Sequence, residues 1–517
     1  MFAWLARWLF ALDDRGEWSF WLAHLLVMVA TYAAIYRWIT TLTACRRVPI
    51  FLALAGWLAL TEGRALAGSY LWGGYLQPSS LATLAWLVAI ASWMRGRIVA
   101  ASLVLAVGGA FHVNFAFLGA GVLGLAELAT GGPWRTRLVR LAILAAPSLA
   151  VFVALIRGQL PTAGEPALAL EVLTRFHAPG HYDPGRVIAR LPVLLAWLVV
   201  AWAALPVARS AAHAATDVAP HAAADAGPHT VADIATQAAP HAAIDRLWRF
   251  TWIASAICAV VSAAIFVPGL LPLTRLYVWR LAPFAQLGGL VIASLAGFAL
   301  LDDPARWRVI PPWRRAVWLA GAVAASALTA LWLERLIGFH ALALPITAGT
   351  DMLTALLVRR IRLRVAIVGL AMFGLAVFAT RGALAGAHIF VDPRADDSEL
   401  FRWTRTIEVD AVFLTPPAFG TFRLLSRRAI VADTKSPPLA PDELVAWYRR
   451  LCGVVDARDV ATHEEVERRY GQLAIAQLLA IAHRFGASYL VIEKRANESA
   501  AAPIAFENGS FVAYRVP

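Results

Sequence analysis

Residues 281–300 read LAPFAQLGGLVIASLAGFAL, a run without a charged side chain that is followed by Arg306, Arg308, Arg314 and Arg315. As a helix rising 1.5 Å per residue it reaches about 30 Å, the thickness of a bilayer's hydrocarbon core. Comparable apolar runs lie near 18–42, 48–62, 79–94, 98–112, 114–130, 139–156, 187–207, 248–268, 315–333, 341–358 and 364–385. Together they predict about twelve spans, of which 48–62 and 79–94 are short. Short spans are tolerated where neighbouring protein satisfies the backbone.

Composition agrees with that reading. Of 517 residues, 60% are hydrophobic and 15% charged, and the mean hydropathy is +0.65. A soluble domain has about 45–50% and about 25%. A soluble enzyme, a disordered chain and a secreted disulfide scaffold are thereby excluded. Cys45, Cys258 and Cys452 are too few and too scattered for a disulfide framework or a zinc site.

The net charge of +13 does not point to nucleic acid. Residues 386–517 hold 16 Lys/Arg against 17 Asp/Glu, leaving 30 against 16 for the first 385. That excess sits in short loops: Arg46/Arg47, Arg95/Arg97, Arg135/Arg137/Arg140, Arg306/Arg308/Arg314/Arg315 and Arg359/Arg360/Arg362/Arg364. With the spans above all five clusters fall on one side, which the positive-inside trend makes the cytoplasm. The loops 61–79, 157–186, 269–280 and 334–340 then face outward with the tail. The amino terminus also comes out external, behind the short Trp-rich, amphipathic segment Phe2–Leu12, and a helix ahead of it would complete the topology.

The expected organisation is an amphipathic interfacial segment (1–17), a first membrane half (18–207), a disordered cytoplasmic linker (208–246), a second membrane half (247–385) and an extracytoplasmic α/β domain (386–517). The linker is Ala/Pro-rich, with near repeats at 219–225 and 239–245, and cannot bury enough apolar surface to fold. In the tail, Asp410–Thr415, Phe422–Leu425, Ala429–Asp433 and Ser488–Glu493 read as strands. Pro441–Cys452 and Thr462–Phe485 read as helices, and Phe506–Val516 as a hairpin through Asn508-Gly509.

Polar residues on the outward side are the candidate site. Arg175, His177, His181, Tyr182 and Asp183 lie within nine residues. Such a set can grip a phosphate and supply a proton donor near neutral pH, or it can be a loop whose polar groups are satisfied locally. Glu62 is an acid in an aromatic- and glycine-rich loop, and that loop also suits an interfacial belt. His112 and Asn114 sit at a tight turn, where such groups often cap hairpins. Arg275 and Arg280 lie on the outer side against the charge trend, where an anionic ligand or a lipid headgroup would explain them equally. Asp13-Asp14 can hold a divalent metal, act as a base, or simply stop a helix.

The arrangement resembles the GT-C superfamily of membrane glycosyltransferases. Within it the chain is most similar to a bacterial family of uncharacterised multi-pass membrane proteins. The resemblance is carried by Gly73-Gly74-Tyr75-Leu76-Gln77-Pro78 and by Arg175–Tyr182. In the tail it is carried by Thr415-Pro416-Pro417, Phe422-Arg423, Ser426, Val431-Ala432-Asp433, Lys435-Ser436 and Trp447-Tyr448-Arg449-Arg450. It implies a GT-C-like bundle in a bacterial cytoplasmic membrane, with a sugar drawn from a polyprenyl-phosphate carrier at the outer face. Asp13, Asp14 and Glu62 would be the acids, acting as base or as ligands of a divalent metal ion, and no other cofactor is implied. Arg175, His177, His181 and Arg280 would hold the lipid phosphate, with Tyr182, Arg275 and His112 beside them. The tail would meet an envelope protein or a glycan acceptor. A non-enzymatic transporter, flippase or envelope scaffold is the alternative.

Overall fold

The computed structural model describes residues 1–12, 17–43, 46–61, 65–66, 69–71, 76–156, 165–177, 179, 184–217, 240–264, 266–267, 277–337, 395–435, 437–438, 440–494 and 502–517. These divide into two units, Met1–Leu155 with Pro184–Ile389, and Ile156–Asp183 with Phe390–Pro517.

The first unit is helical. It contains α1 (Phe2–Leu12), α2 (Glu17–Leu42), α3 (Arg47–Thr61), α4 (Pro78–Met94), α5 (Ile98–Phe111), α6 (Val113–Leu128) and α7 (Trp134–Ile156). After an excursion into the second unit through α8 (Pro166–Glu171), it continues with α9 (Pro184–Asp217), α10 (Pro240–Ala264), α11 (Ala282–Asp302) and α12 (Pro312–Ile337). Proline opens α4, α9, α10 and α12, at the position where a missing N–H costs no helical bond. A single extended residue, His112 (φ −148°, ψ 101°), separates α5 from α6 and folds them into a hairpin. Glycine allows that hairpin to close: a Cβ on Gly109 would lie 2.3 Å from the Ala116 Cβ. Such close approach at small residues is how helices pack where solvent does not drive them together.

Among the described residues, five helices are long and apolar enough to cross a membrane: Ser19–Leu42, Trp134–Leu155, Arg190–Ala212, Pro240–Ala264 and Val278–Asp302. This is a membrane protein. The described residues do not give twelve spans, however. Arg47–Leu58, Pro78–Met94, Ile98–Phe111 and Val113–Leu128 are apolar but shorter than 18 residues, so each reaches less than about 27 Å. The expected spans 341–358 and 364–385 lie outside the described residues. The linker is also narrower than expected, because α9 runs to Asp217 and α10 begins at Pro240. An Arg209–Asp245 ion pair (2.6 Å) ties these two helix ends together.

Four of the five arginine clusters have described residues, and contacts from three of them, together with Arg246, join helix ends. Arg46 pairs with Asp302 (2.6 Å), linking the start of α3 to the end of α11. Arg246, at the start of α10, donates to the Met94 carbonyl at the end of α4 (2.8 Å). Arg140 of α7 pairs with Glu127 at the end of α6 (3.3 Å), and Arg95 Nη2 approaches the Arg37 carbonyl near the end of α2 (3.4 Å). These ends form one face of the bundle.

The second unit is a five-stranded sheet in the order β2-β1-β3-β5-β4, built from β1 (Val412–Leu414), β2 (Ala429–Ile430), β3 (Tyr489–Glu493), β4 (Ile504–Glu507) and β5 (Phe511–Arg515). β1 pairs in parallel with β2 and β3, and β5 runs antiparallel to β3 and β4. Alternate residues enter opposite cores, as a period of two requires. Phe413, Tyr489, Val491, Phe511 and Ala513 face one core with Leu400, Phe401 and Phe422. Leu414, Leu490, Ile492, Val512 and Tyr514 face the other with Trp447, Leu451 and Leu478.

Helices α13 (Ala395–Thr406) and α14 (Phe422–Ser426) supply the first core. Helices α15 (Pro441–Val454), α16 (His463–Gln472) and α17 (Ile475–Arg484) supply the second. α13 escapes the sequence reading because its apolar residues are sparse, although Asp396 and Asp397 mark its first turn. Phe422–Ser426 is a helical turn rather than the expected strand, closed by Arg427 at a left-handed φ of 57°. The single helix expected over Thr462–Phe485 is two. The backbone is extended at Leu473 and Ala474, and the Gln477 side chain accepts from the Ala474 N–H (2.9 Å).

The second core takes two further residues from far upstream. Val172 and Phe176, 2% and 4% exposed, belong to it. Phe176 lies in the π-helical turn Val172–His177 that follows α8. Its ring packs edge-on against Tyr448 (5.2 Å) and His463 (4.7 Å) and tilted against Trp447 (5.9 Å). Residues 165–177 are therefore a structural part of the tail domain.

Candidate functional site

At the end of the bundle away from the arginine contacts, three stretches meet. Residues 277–281 enter α11 through a left-handed Tyr277 (φ 52°, ψ 44°) and a tight turn, Val278–Leu281. Trp279 is fully buried there, and its Nε1 donates to Ser262 Oγ (3.1 Å). The Ser69 hydroxyl lies within donating reach of the Trp279 carbonyl (2.8 Å) and of the Leu66 carbonyl (2.6 Å). This docks the described part of loop 61–79 onto the turn. Arg190 of α9 donates to the Ala65 carbonyl (3.3 Å) and holds the same loop from behind.

The turn sets Arg280 between two rings. Its guanidinium carbon lies 5.1 Å from the Phe115 centroid and 5.0 Å from that of Tyr277, within cation–π range. The His112 ring packs on the same Phe115 at 5.2 Å, so Phe115 is flanked by an imidazole and a guanidinium. Among the described residues His112 Nδ1 has no hydrogen-bond partner. The His112 ring lies close to the Arg280 charge, which disfavours a second positive charge there.

The expected site residues divide as follows. His112 and Arg280 come together in the first unit. Arg175 and His177 belong to the second. Arg175 is 80% exposed and pairs with Glu171 at 3.0 Å. His177 is half-buried, with its ring 6.1 Å from Trp447 and 6.4 Å from His463. Asp13, Asp14, Glu62, His181, Tyr182 and Arg275 lie outside the described residues. Among the described residues no three His, Cys, Asp or Glu side chains are grouped to hold a metal ion.

One charged residue was not singled out from the sequence. Glu127, fully buried near the end of α6, accepts from Trp93 Nε1 at Oε1 (2.8 Å) and from Arg140 at Oε2 (3.3 Å). A lone acid closing an apolar run is the signal that could have found it.

His463 gives the tail domain a pH dependence. Burial lowers its pKa more than the nearby Glu464 and Glu467 raise it. The unfolded state then binds the proton more readily, so the domain loses stability as pH falls below about 6.5, the ordinary histidine value. His463→Gln should flatten that acid limb of the unfolding midpoint against pH, whereas an unchanged limb would assign it to other groups.

A helical membrane bundle carrying an α/β domain is the class that fold and site define. Residues 395–454 match a family described only as "Domain of unknown function (DUF6798)". The matched stretch runs from α13 through β1, α14 and β2 to α15, and takes in most of the tail motifs noted from the sequence. No curated protein matches the chain.

Proposed function

We propose that this protein is a glycosyltransferase of the bacterial cytoplasmic membrane, taking a sugar from a polyprenyl-phosphate carrier at the outer face. The observation that carries the reading is the Arg280–Phe115–His112 group, placed at the bundle end away from the arginine contacts. Arg280 supplies a fixed positive charge for a leaving phosphate, and a neutral His112 beside it can hydrogen-bond the substrate. Asp13 and Asp14 stand for the first acidic position, as base or metal ligand, and Glu62, in the loop whose neighbours dock on the Trp279 turn, is the second acid.

Support for the orientation comes from connectivity. The Arg135/Arg137/Arg140 cluster lies at the start of α7, and one span separates it from the segment 156–183, whose Val172 and Phe176 belong to the tail domain. Alkaline phosphatase fused after Pro517 should therefore be active. In the decisive assay, membranes holding the full chain are given polyprenyl-phosphate-linked radiolabelled sugar. Label should leave the lipid with the native protein and stay on it with Glu62→Gln. Equal release by both would remove Glu62 from the reaction, and no release beyond that of membranes lacking the protein would end the enzyme reading.

A second reading has its own observation. Arg175 is engaged by Glu171 and Phe176 is a core residue, so within the described part of that motif Phe176 serves packing. That favours a scaffold or transporter whose tail domain docks an envelope protein or glycan.

A further inference from the structure

The arginine face of the bundle is not uniformly basic. Arg46 has Asp302, Arg209 has Asp245 and Arg306 has Asp303 (3.3 Å) within ion-pair reach. Around the α4–α5 turn, Arg95-Gly96-Arg97, the pattern changes. Arg95 Nη2 reaches only the Arg37 carbonyl (3.4 Å) and Thr40 Oγ1 (3.5 Å). Arg246 donates to the Met94 carbonyl, and its guanidinium lies 3.6 Å from where a Cβ on Gly96 would stand. The buried acid there is Glu127, and both its oxygens are taken, by Trp93 and Arg140. Arg37, Arg95, Arg97 and Arg246 therefore have no carboxylate within ion-pair reach among the described residues.

These four groups are not spread along a rim. Arg95 and Arg246 are half-buried between the ends of α2, α4 and α10, and Arg37 and Arg97 are exposed in front of them. Burial, and then the like charges of Arg37 and Arg97, push the Arg95 pKa down, the sign of cations crowded without a counter-ion. Gly96, at φ +77°, leaves the turn free of a side chain on the side of Arg246. A group of arginines at helix ends on the positive side of a membrane protein suits the phosphate of a lipid headgroup, where the guanidinium fork can bond two oxygens at once.

We propose that the α4–α5 turn is a headgroup site for an anionic phospholipid of the leaflet on the arginine side. Its phosphate is held among Arg37, Arg95 and Arg97, with Arg246 behind them. The site lies at the other end of the bundle from Arg280 and does not depend on the transferase reading.

The test is lipid binding to the full chain in detergent, followed by native mass spectrometry. Phosphatidylglycerol should bind the native protein in preference to phosphatidylcholine. Arg37→Gln/Arg97→Gln removes two exposed side chains that make no hydrogen bond among the described residues, and should weaken phosphatidylglycerol roughly thirtyfold. Arg37→Lys/Arg97→Lys should keep most of that affinity, and native binding should weaken as salt is raised. Equal binding of the two lipids, undiminished binding by the glutamine variant, or no salt dependence would each overturn the site. Inorganic phosphate displacing the lipid at equal concentration would overturn the lipid source. The salt arm needs no variant, so a glutamine variant that fails to fold leaves the proposal open to refutation.

Discussion

Phe176→Ala should loosen the tail domain while leaving the membrane helices inserted. The side chain is 4% exposed and touches Trp447, Tyr448 and His463, and truncating such a phenylalanine costs about 3–5 kcal/mol. A domain of this size is stable by only about 5–15 kcal/mol, so much of its margin would go. Limited proteolysis of the full chain is the measurement. Cleavage within 395–517 should accelerate sharply, with the helical unit still protected. A soluble fragment of 395–517 should likewise fold better when residues 165–177 are supplied, as a tethered segment or as a peptide. Equal protection of native and Phe176→Ala chains would show that the segment rests on a domain that is already complete.

The second large effect concerns Arg280. If a lipid phosphate is held there, Arg280→Ala removes a charge-assisted hydrogen bond worth about 1.5–3 kcal/mol, or about ten- to 150-fold in binding of a polyprenyl phosphate. Arg280→Lys should recover only part, because lysine keeps the charge and loses the planar fork. Packing must be separated from binding, since the guanidinium also lies on Phe115 and Tyr277. The thermal midpoint of the ligand-free protein supplies that control. A fall in midpoint with unchanged ligand affinity would make Arg280 a structural brace and remove the main support for the transferase reading. A fall in affinity with an unchanged midpoint is the expected result.

The membrane class was legible in residues such as 281–300 because it depends on a local quantity. A long uncharged run has nowhere stable to go except a nonpolar medium or a large core. The strands at Val412–Leu414 and Tyr489–Glu493 were legible for a related reason, since short β-branched and aromatic runs carry their conformation in their own composition. Short pieces were not. Phe422–Ser426 is too brief for any period to show, and its helical turn is settled by Phe422 entering the core with Phe401 and Phe413. The break at Leu473-Ala474 was hidden because both flanking segments carry the same helical stripe.

For the site, the residue types at these turns could be read from the sequence, but their grouping could not. Nothing near Arg280 in the chain indicates that Phe115 and His112 stand beside it, and nothing near Phe176 indicates that its ring completes a core nearly 300 positions away. The sequence by itself determined what each segment prefers as solvent and as backbone shape, because those preferences act within a few residues. Tertiary structure alone decided which polar groups share a site and which aromatic residues serve a core. Those outcomes depend on distances between segments that no local pattern encodes.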